Sequence, residues 1–206
     1  MYVPAAFALT DTAALHALMR RHSFALLVSD NHGEPFATHL PLLLHAEEGP
    51  HGTLYGHVAR ANPHAELLAD RRTLAVFSGP HAYISPTWYE TPNTVPTWNY
   101  VAVHAGGTCE LVTGDRQLLD LLIETAGTYE SGMEKPWSFD PKDEYVRKLL
   151  GGIVGFRIPI DRLEGKAKLN QNHPEERRDR VATGLERSAD PDSLRIAALM
   201  RGGSHV

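Results

Sequence analysis

Nine consecutive residues, Gly56-His57-Val58-Ala59-Arg60-Ala61-Asn62-Pro63-His64, bring together the donors and the turn chemistry that a phosphate group needs. Asn62 suits an N-cap, where its side-chain oxygen accepts from the first unpaired amides of a helix. Pro63 fits the first helical position, where a missing N–H costs nothing. Glu66, Leu67 and Leu68 continue a helical pattern predicted to reach about Arg72. A helix start offers unpaired N–H donors and a partial positive charge. Arg60 and His64 flank this one with further donors, so the corner can hold an anion. On these residues alone, a plain N-capped surface helix with an incidental arginine explains the segment as well.

The elements around this corner are short and mostly extended. A helix is predicted near residues 10–22, with Thr10 as its cap and Leu15, Leu18, Met19 and His22 on one face. Phe24 to Ser29 and Pro35 to Leu44 read as a hairpin around Asp30-Asn31-His32-Gly33-Glu34. Thr53 to Ala59 is the third strand, Thr73 to Ser78 the fourth and Ala82 to Ser85 the fifth. Residues 86–98 hold three prolines, Pro86, Pro92 and Pro96, and read as a long loop. Asn99 to Val112 alternates as a sixth strand. Gly106-Gly107 in its middle predicts a bulge or the close approach of another backbone. The helix from Asp115 to Thr128 carries Leu118, Leu119, Leu121, Leu122 and Ile123. That apolar arc predicts burial of much of its perimeter, against a second subunit. A helix opened by Asp140-Pro141, a last strand from Ile153 to Ile160, and two helices over 173–187 and 190–201 complete the reading. Local strand connectivity with few intervening helices argues for an antiparallel barrel, mainly β with flanking helices. Residues 1–165 are expected to form it, with 166–206 a helical extension packed on the barrel or on a dimer partner.

Composition narrows the function classes. The chain has 206 residues, 42% of them hydrophobic and 22% charged, with a net charge of −5. Such a molecule as a whole is no electrostatic trap for nucleic acid. Arg177, Arg178, Arg180, Arg187, Arg195 and Arg201 fall on the last two helices, but acidic residues alternate with them, as on a solvated face. Cys109 is the only cysteine, which excludes an intrachain disulfide and CxxC chemistry. It reads as a small apolar core residue in an alternating strand. No apolar run approaches the ~20 residues of a membrane span, and the start Met1-Tyr2-Val3-Pro4 lacks a signal-peptide pattern. A reducing cytoplasm is the expected compartment. The 12 histidines show no HxxxH or HExxH spacing, so no metal site is assigned. No Ser-His-Asp set or carboxylate pair marks a catalytic residue.

Five segments together carry a family resemblance. They are His39-Leu40-Pro41; the stretch Gly56 to His64; Phe77-Ser78-Gly79-Pro80-His81-Ala82-Tyr83-Ile84-Ser85-Pro86-Thr87-Trp88-Tyr89; Val95-Pro96-Thr97-Trp98-Asn99-Tyr100 with Val103-His104; and Lys166-Ala167-Lys168-Leu169-Asn170-Gln171-Asn172. In this order they resemble the PaiB-type FMN-binding negative transcriptional regulators, split-barrel flavin-binding proteins related to pyridoxamine phosphate oxidase. The resemblance covers residues 1 to about 187. It implies a split β-barrel that forms a homodimer and binds FMN between subunits. The strand with Thr38, His39, Leu40 and Pro41 would lie along the isoalloxazine. Gly56, His57, Val58, Arg60, Asn62 and His64 would hold ribityl and phosphate. Pyridoxamine phosphate oxidase has an arginine on the first of these strands and a basic pair at the helix start. Here Thr38-His39 and Arg60 with His64 stand instead, so the phosphate charge is less fully matched and oxidase activity on a pyridoxal vitamer is not implied.

Tyr83, Trp88, Tyr89, Trp98 and Tyr100 can cover a flavin ring or anchor the proline-rich loop. Trp98 and Asn99 begin the strand leaving that loop, and the Asn99 amide can donate to and accept from a ring edge. Lys168 and Gln171 are candidates for the phosphate or the flavin edge; a solvated linker is the alternative. Any redox chemistry would be the cofactor's. The expected function is an FMN-binding transcriptional regulator. A flavin-dependent oxidoreductase is the second reading, and a haem-binding or haem-degrading split-barrel protein the third. DNA contact would fall to the C-terminal arginines.

Overall fold

The computed structural model describes residues 1–203. In chain order the elements are β1 (Ala8–Leu9), α1 (Thr12–Arg21), β2 (Phe24–Asn31), β3 (Glu34–Pro41), β4 (Leu43–His45), β5 (Thr53–Ala59), β6 (Arg72–Ile84), β7 (Thr97–Thr108) and β8 (Glu110–Val112). They continue with α2 (Asp115–Glu130), α3 (Glu144–Leu150), β9 (Ile153–Pro159), β10 (Arg162–Lys168), α4 (Glu175–Glu186) and α5 (Pro191–Met200). The chain forms two compact units. One comprises Met1–His22, Phe77–His104 and the segment from Glu164 onward; the other comprises Ser23–Val76 and Ala105–Leu163.

In the unit built on Ser23–Val76, β2 and β3 pair from Phe24↔Pro41 to Asn31↔Glu34. The connecting turn needs two positive φ values, 54° at His32 and 94° at Gly33, and Asp30 Oδ1 accepts from Gly33 N at 3.0 Å. Primed turns of this kind match the twist of a hairpin. On its other side β2 pairs with the start of β6, Leu26↔Val76 to Ser29↔Thr73. A second antiparallel sheet has the order β4-β5-β9-β8. Its spine is the β5–β9 ladder from Thr53↔Pro159 to Ala59↔Ile153. Leu118 and Leu121 of α2 pack with Leu43 and Leu150. Burying such a side chain contributes ~1.5–3 kcal/mol. Gly155 leaves the room, since a Cβ there would stand 2.6 Å from Leu118 Cδ1.

In the other unit the strand order is β1-β10-β7-β6. Asp11 caps α1 by accepting from Ala13 N, and Leu15 of that helix fills the space that Gly165 leaves open. Val181, Ala182 and Leu185 of α4 and Ile196, Ala197 and Leu199 of α5 are buried.

Four local expectations are corrected. The fourth and fifth strands are one strand, β6, because Gly79 and Pro80 are buried within an extended run rather than turned out to solvent. The polar stretch at Lys166 is the end of a strand, β10; its lysines disguise the alternation. The helix after Asn62 is one 3-10 turn, Pro63–Leu67, since Asp70 takes φ 56° and the chain enters β6 at Arg72. The helix assigned to Asp140-Pro141 starts at Glu144, capped by Asp143. Within the single chain, α2 buries Leu118 and Leu121, and Ile123 is 41% exposed. The described residues hold ten strands. The predicted close approach at Gly107 is present: a Cβ there would lie 2.2 Å from Pro159 O.

Candidate functional site

The corner between β5 and the Pro63–Leu67 turn is built as its capping chemistry requires. Asn62 Oδ1 accepts from His64 N at 2.9 Å, and Pro63 occupies the first position of the turn. The Asn62 amide then donates to Thr38 Oγ1 of β3 at 3.3 Å. His64 is fully buried. Its Nδ1 hydrogen-bonds Thr38 Oγ1 at 2.8 Å and its Nε2 hydrogen-bonds Ser29 Oγ at 3.0 Å. Ser29 Oγ in turn lies 3.1 Å from Thr73 Oγ1. Phe36 meets the imidazole edge to face at 5.3 Å. Burial holds the His64 pKa below the ordinary histidine value, so the ring is a neutral bridge between strands. Its hydrogen-bonding capacity is spent inside the unit.

Arg60 takes the opposite course. Its Nε donates to Gly151 O at 2.7 Å and its Nη2 to Ile153 O at 2.8 Å. Among the described residues no carboxylate pairs with it. The guanidinium is exposed and fixed, with Nη1 unused. It lines a cavity of about 430 Å³ together with Arg147, Gly114, Asp115 and Gly151. Arg147 likewise has no acidic partner among the described residues. A carbonyl-anchored arginine beside a second one, with Asp115 as the opposing charge, suits an anionic group.

The other residues of this set divide by strand parity. Along β3, Thr38 and Leu40 share the face that meets His64, whereas His39 is exposed on the other face and stacks on Phe24 at 6.2 Å. Pro41, half-buried, ends the strand. Along β5, Gly56 and Val58 are buried and His57 is half-buried, with its pKa lowered by burial. Gly56 admits Leu42, whose Cδ2 would stand 2.7 Å from a Cβ.

Trp98, Asn99, Lys168 and Gln171 gather in the other unit. Lys168 Nζ donates to Trp98 O at 2.8 Å and to Thr97 Oγ1. Burial, then the charge of Lys166, lowers its pKa. Asn99 is fully buried; its Nδ2 contacts Met200 Sδ at 3.4 Å and its Oδ1 has no partner. Gln171 closes the turn after β10, accepting from Leu169 N at 2.7 Å and donating to Ala167 O at 2.6 Å. Lys166 is buried against the rings of Tyr2 and Tyr100, 5.5 and 5.1 Å from their centroids. Sequence reasoning missed Arg147, Ser29 and Thr73 altogether. Ser29 and Thr73 carried one usable signal, small hydroxyls at inward positions of two alternating strands.

Among the described residues, no helix is long and apolar enough to cross a membrane. Comparison with solved structures places the fold. The FAD and heme binding protein of Mycobacterium smegmatis superposes with a TM-score of 0.60 at 15% identity, covering 78% of this chain and 73% of that one. The flavocytochrome Anf3 of Azotobacter vinelandii gives 0.60 at 16% identity, over 78% and 69%. The fold is the mainly β, split-barrel class with flanking helices that the resemblance implied. In sequence, the Bacillus subtilis "Protease synthase and sporulation protein PAI 2" is 35% identical over 202 residues, 97% of this chain and 96% of the relative. Residues 1–162 match the family described as "Putative FMN-binding domain", and with a full-length relative at this identity the chain belongs to that family of FMN-binding proteins.

Proposed function

We propose that this protein is an FMN-binding regulator of transcription, active as a homodimer with flavin held between the two copies. The observation that carries flavin binding here is Arg60: a guanidinium without a carboxylate partner, anchored by two backbone carbonyls beside the Asn62-capped turn. Arg60 fits the FMN phosphate, and Arg147 across the same cavity supplies a second positive charge. His64 does not fit as a phosphate ligand, because both its nitrogens are used inside the unit. Its role is to fix Thr38 and the β3 face behind the site. When bound, FMN supplies one- or two-electron redox chemistry. Gly56 and Val58 keep the strand close-packed, and His57 and His39 are the side chains left to meet the ring. Lys168 and Gln171 have their polar groups engaged within their own unit, and they, Trp98 and Asn99 are not needed for this reading.

The C-terminal arginines support DNA contact poorly. Arg195 pairs with Asp192, and Arg201 with Glu186 and Asp179. Arg178 donates to Met200 O and Arg180 to Tyr89 O. Regulation through a change in flavin state or through a protein partner therefore fits better than a basic helix laid on DNA. The chain's one cysteine is buried and free, which suits the cytoplasm.

Titration with FMN, followed by flavin fluorescence and thermal shift, tests the core of this reading. Saturable binding is expected, and Arg60→Ala should weaken it by about 1.5–3 kcal/mol, the loss of a charged hydrogen bond. An absence of binding at high micromolar FMN defeats the proposal. Bleaching of the bound flavin by NAD(P)H, with turnover of an acceptor, would replace the regulator by an oxidoreductase.

A further inference from the structure

A cleft of about 630 Å³ lies within the unit that holds β6, β7, α4 and α5. Aromatic rings wall it. Tyr83 and Trp98 meet edge to face with centroids 5.9 Å apart, and the His81 ring lies 6.1 Å from Trp98. Tyr83 is 48% exposed and Trp98 53%, so two large rings turn their surfaces to the cleft rather than to the core. Trp88 adds a third ring. It is seated on Gly184 of α4, where a Cβ would stand 2.6 Å from the indole. The helix and the indole can approach this closely only because residue 184 has no side chain.

The charges of the lining are unequal. Asp190 caps α5, accepting from Ser193 N and Oγ at 2.8 Å each, and remains exposed. Asp192 stands 3.4 Å from His81 Nδ1 and 3.0 Å from Arg195 Nη1. Arg187, at the end of α4, is the one guanidinium in the lining, and no carboxylate pairs with it among the described residues. Asp192 is thus shared between His81 and Arg195, and Asp190 is the lining carboxylate with no cationic partner among the described residues. Aromatic faces carry a negative quadrupole and attract positive charge. Exposed aromatic surface rimmed by polar groups is a binding surface more often than an accident of packing.

We propose that this cleft binds a small organic cation, an alkylated or aromatic ammonium whose charge rests against Trp98 and Tyr83 and is balanced by Asp192 and Asp190. The lining lies wholly within one unit and shares no residue with the Arg60 cavity, and the test below uses no flavin, so either reading can fail without the other. Arg187 opposes such a ligand, and this gives the test its sign.

The chain has three tryptophans, so Trp137→Phe leaves Trp88 and Trp98 as reporters beside the cleft. Choline is titrated into this protein and indole fluorescence is followed. Its neutral carbon isostere, 3,3-dimethylbutan-1-ol, serves as the control. Saturable quenching by choline is expected, with the alcohol at least about 10-fold weaker. Asp192→Asn should weaken choline about 3- to 10-fold, and Arg187→Ala should tighten it about 2- to 5-fold. Trp98→Leu, read by calorimetry, should abolish binding while circular dichroism stays unchanged. Arg187 is exposed, so its variant tests the idea even if Trp98→Leu fails to fold. Weaker binding in Arg187→Ala would make the cleft an anion site and overturn the proposal. Equal affinity for the isostere, or no saturation by choline, would overturn it too.

Discussion

His64 and Thr38 are joined at 2.8 Å through Nδ1 and Oγ1, across the gap between a 3-10 turn and strand β3. The other nitrogen of the same ring reaches Ser29 at 3.0 Å. A neutral imidazole donates from one nitrogen and accepts at the other, so a single buried ring completes two hydrogen bonds between elements distant in sequence. His64→Ala removes both and leaves a hole beside Phe36. A loss of about 2–4 kcal/mol is expected in urea unfolding at pH 7.5.

The same ring sets an acid limit on stability. Burial lowers the folded-state pKa of His64. The unfolded chain therefore takes up the proton first as the pH falls. Stability from this group is present above the ordinary value of 6.5 and is lost as the pH falls through the folded value. Unfolding free energy should drop between pH 7 and pH 5. In His64→Gln the drop should be shallower, because one such histidine is gone.

His45 should act with the opposite sign. Its Nδ1 lies 2.9 Å from Glu48 and its Nε2 2.8 Å from Glu124 of α2. Only a protonated ring can donate to both carboxylates. Partial burial opposes that charge, but the bonds to Glu48 and Glu124 outweigh it and the pKa is raised. The stabilisation is present below 6.5 and is lost as the pH rises through the folded value. The pair is partly exposed, so the effect should be about 0.5 kcal/mol. His45→Ala should cost more at pH 5.5 than at pH 8.5, measured by chemical unfolding at both.

Gly107 should tolerate no side chain. A Cβ there would meet the carbonyl oxygen of Pro159 at 2.2 Å, and a backbone atom cannot swing aside as a side-chain tip can. Gly107→Ala should destabilise by about 1–3 kcal/mol or more. Gly127→Ala, on α2 with nothing within 4 Å, should be neutral or slightly stabilising. The two variants compared in one thermal melt check the contrast.

Cys109 should be inert while the chain is folded. It is fully buried, and burial, with Glu110 and Asp70 nearby, pushes its thiol up to about 12. Since the thiolate is the reactive species, Ellman's reagent should give no signal at pH 8 until denaturant is added, then one thiol per chain.

Much of this molecule could be read along the chain because its cues are local. Two apolar runs, Phe24 to Ser29 and Pro35 to Leu44, on either side of a polar turn dictate a hairpin whatever surrounds it. Asn62-Pro63 stops a strand and caps a turn by its own side chain, and the apolar period of 191–200 needs a helix. Paired glycines at 106–107 announced a backbone neighbour, and the ordered motifs carried the family. What the chain could not reveal depends on partners distant in sequence. Arg60 lies against the start of β9 because the carbonyls of Gly151 and Ile153, 91 and 93 residues away, accept from its Nε and Nη2. His64 looked like a surface donor and is a core bridge, because β2 and β3 place hydroxyls on both sides of it. Lys166 looked solvated and is buried, because two tyrosine rings accept its charge. Capping and periodicity act within a few residues and are written in the sequence. The direction of a long polar side chain is settled by whichever distant group best satisfies it, and only the tertiary fold brings that group near.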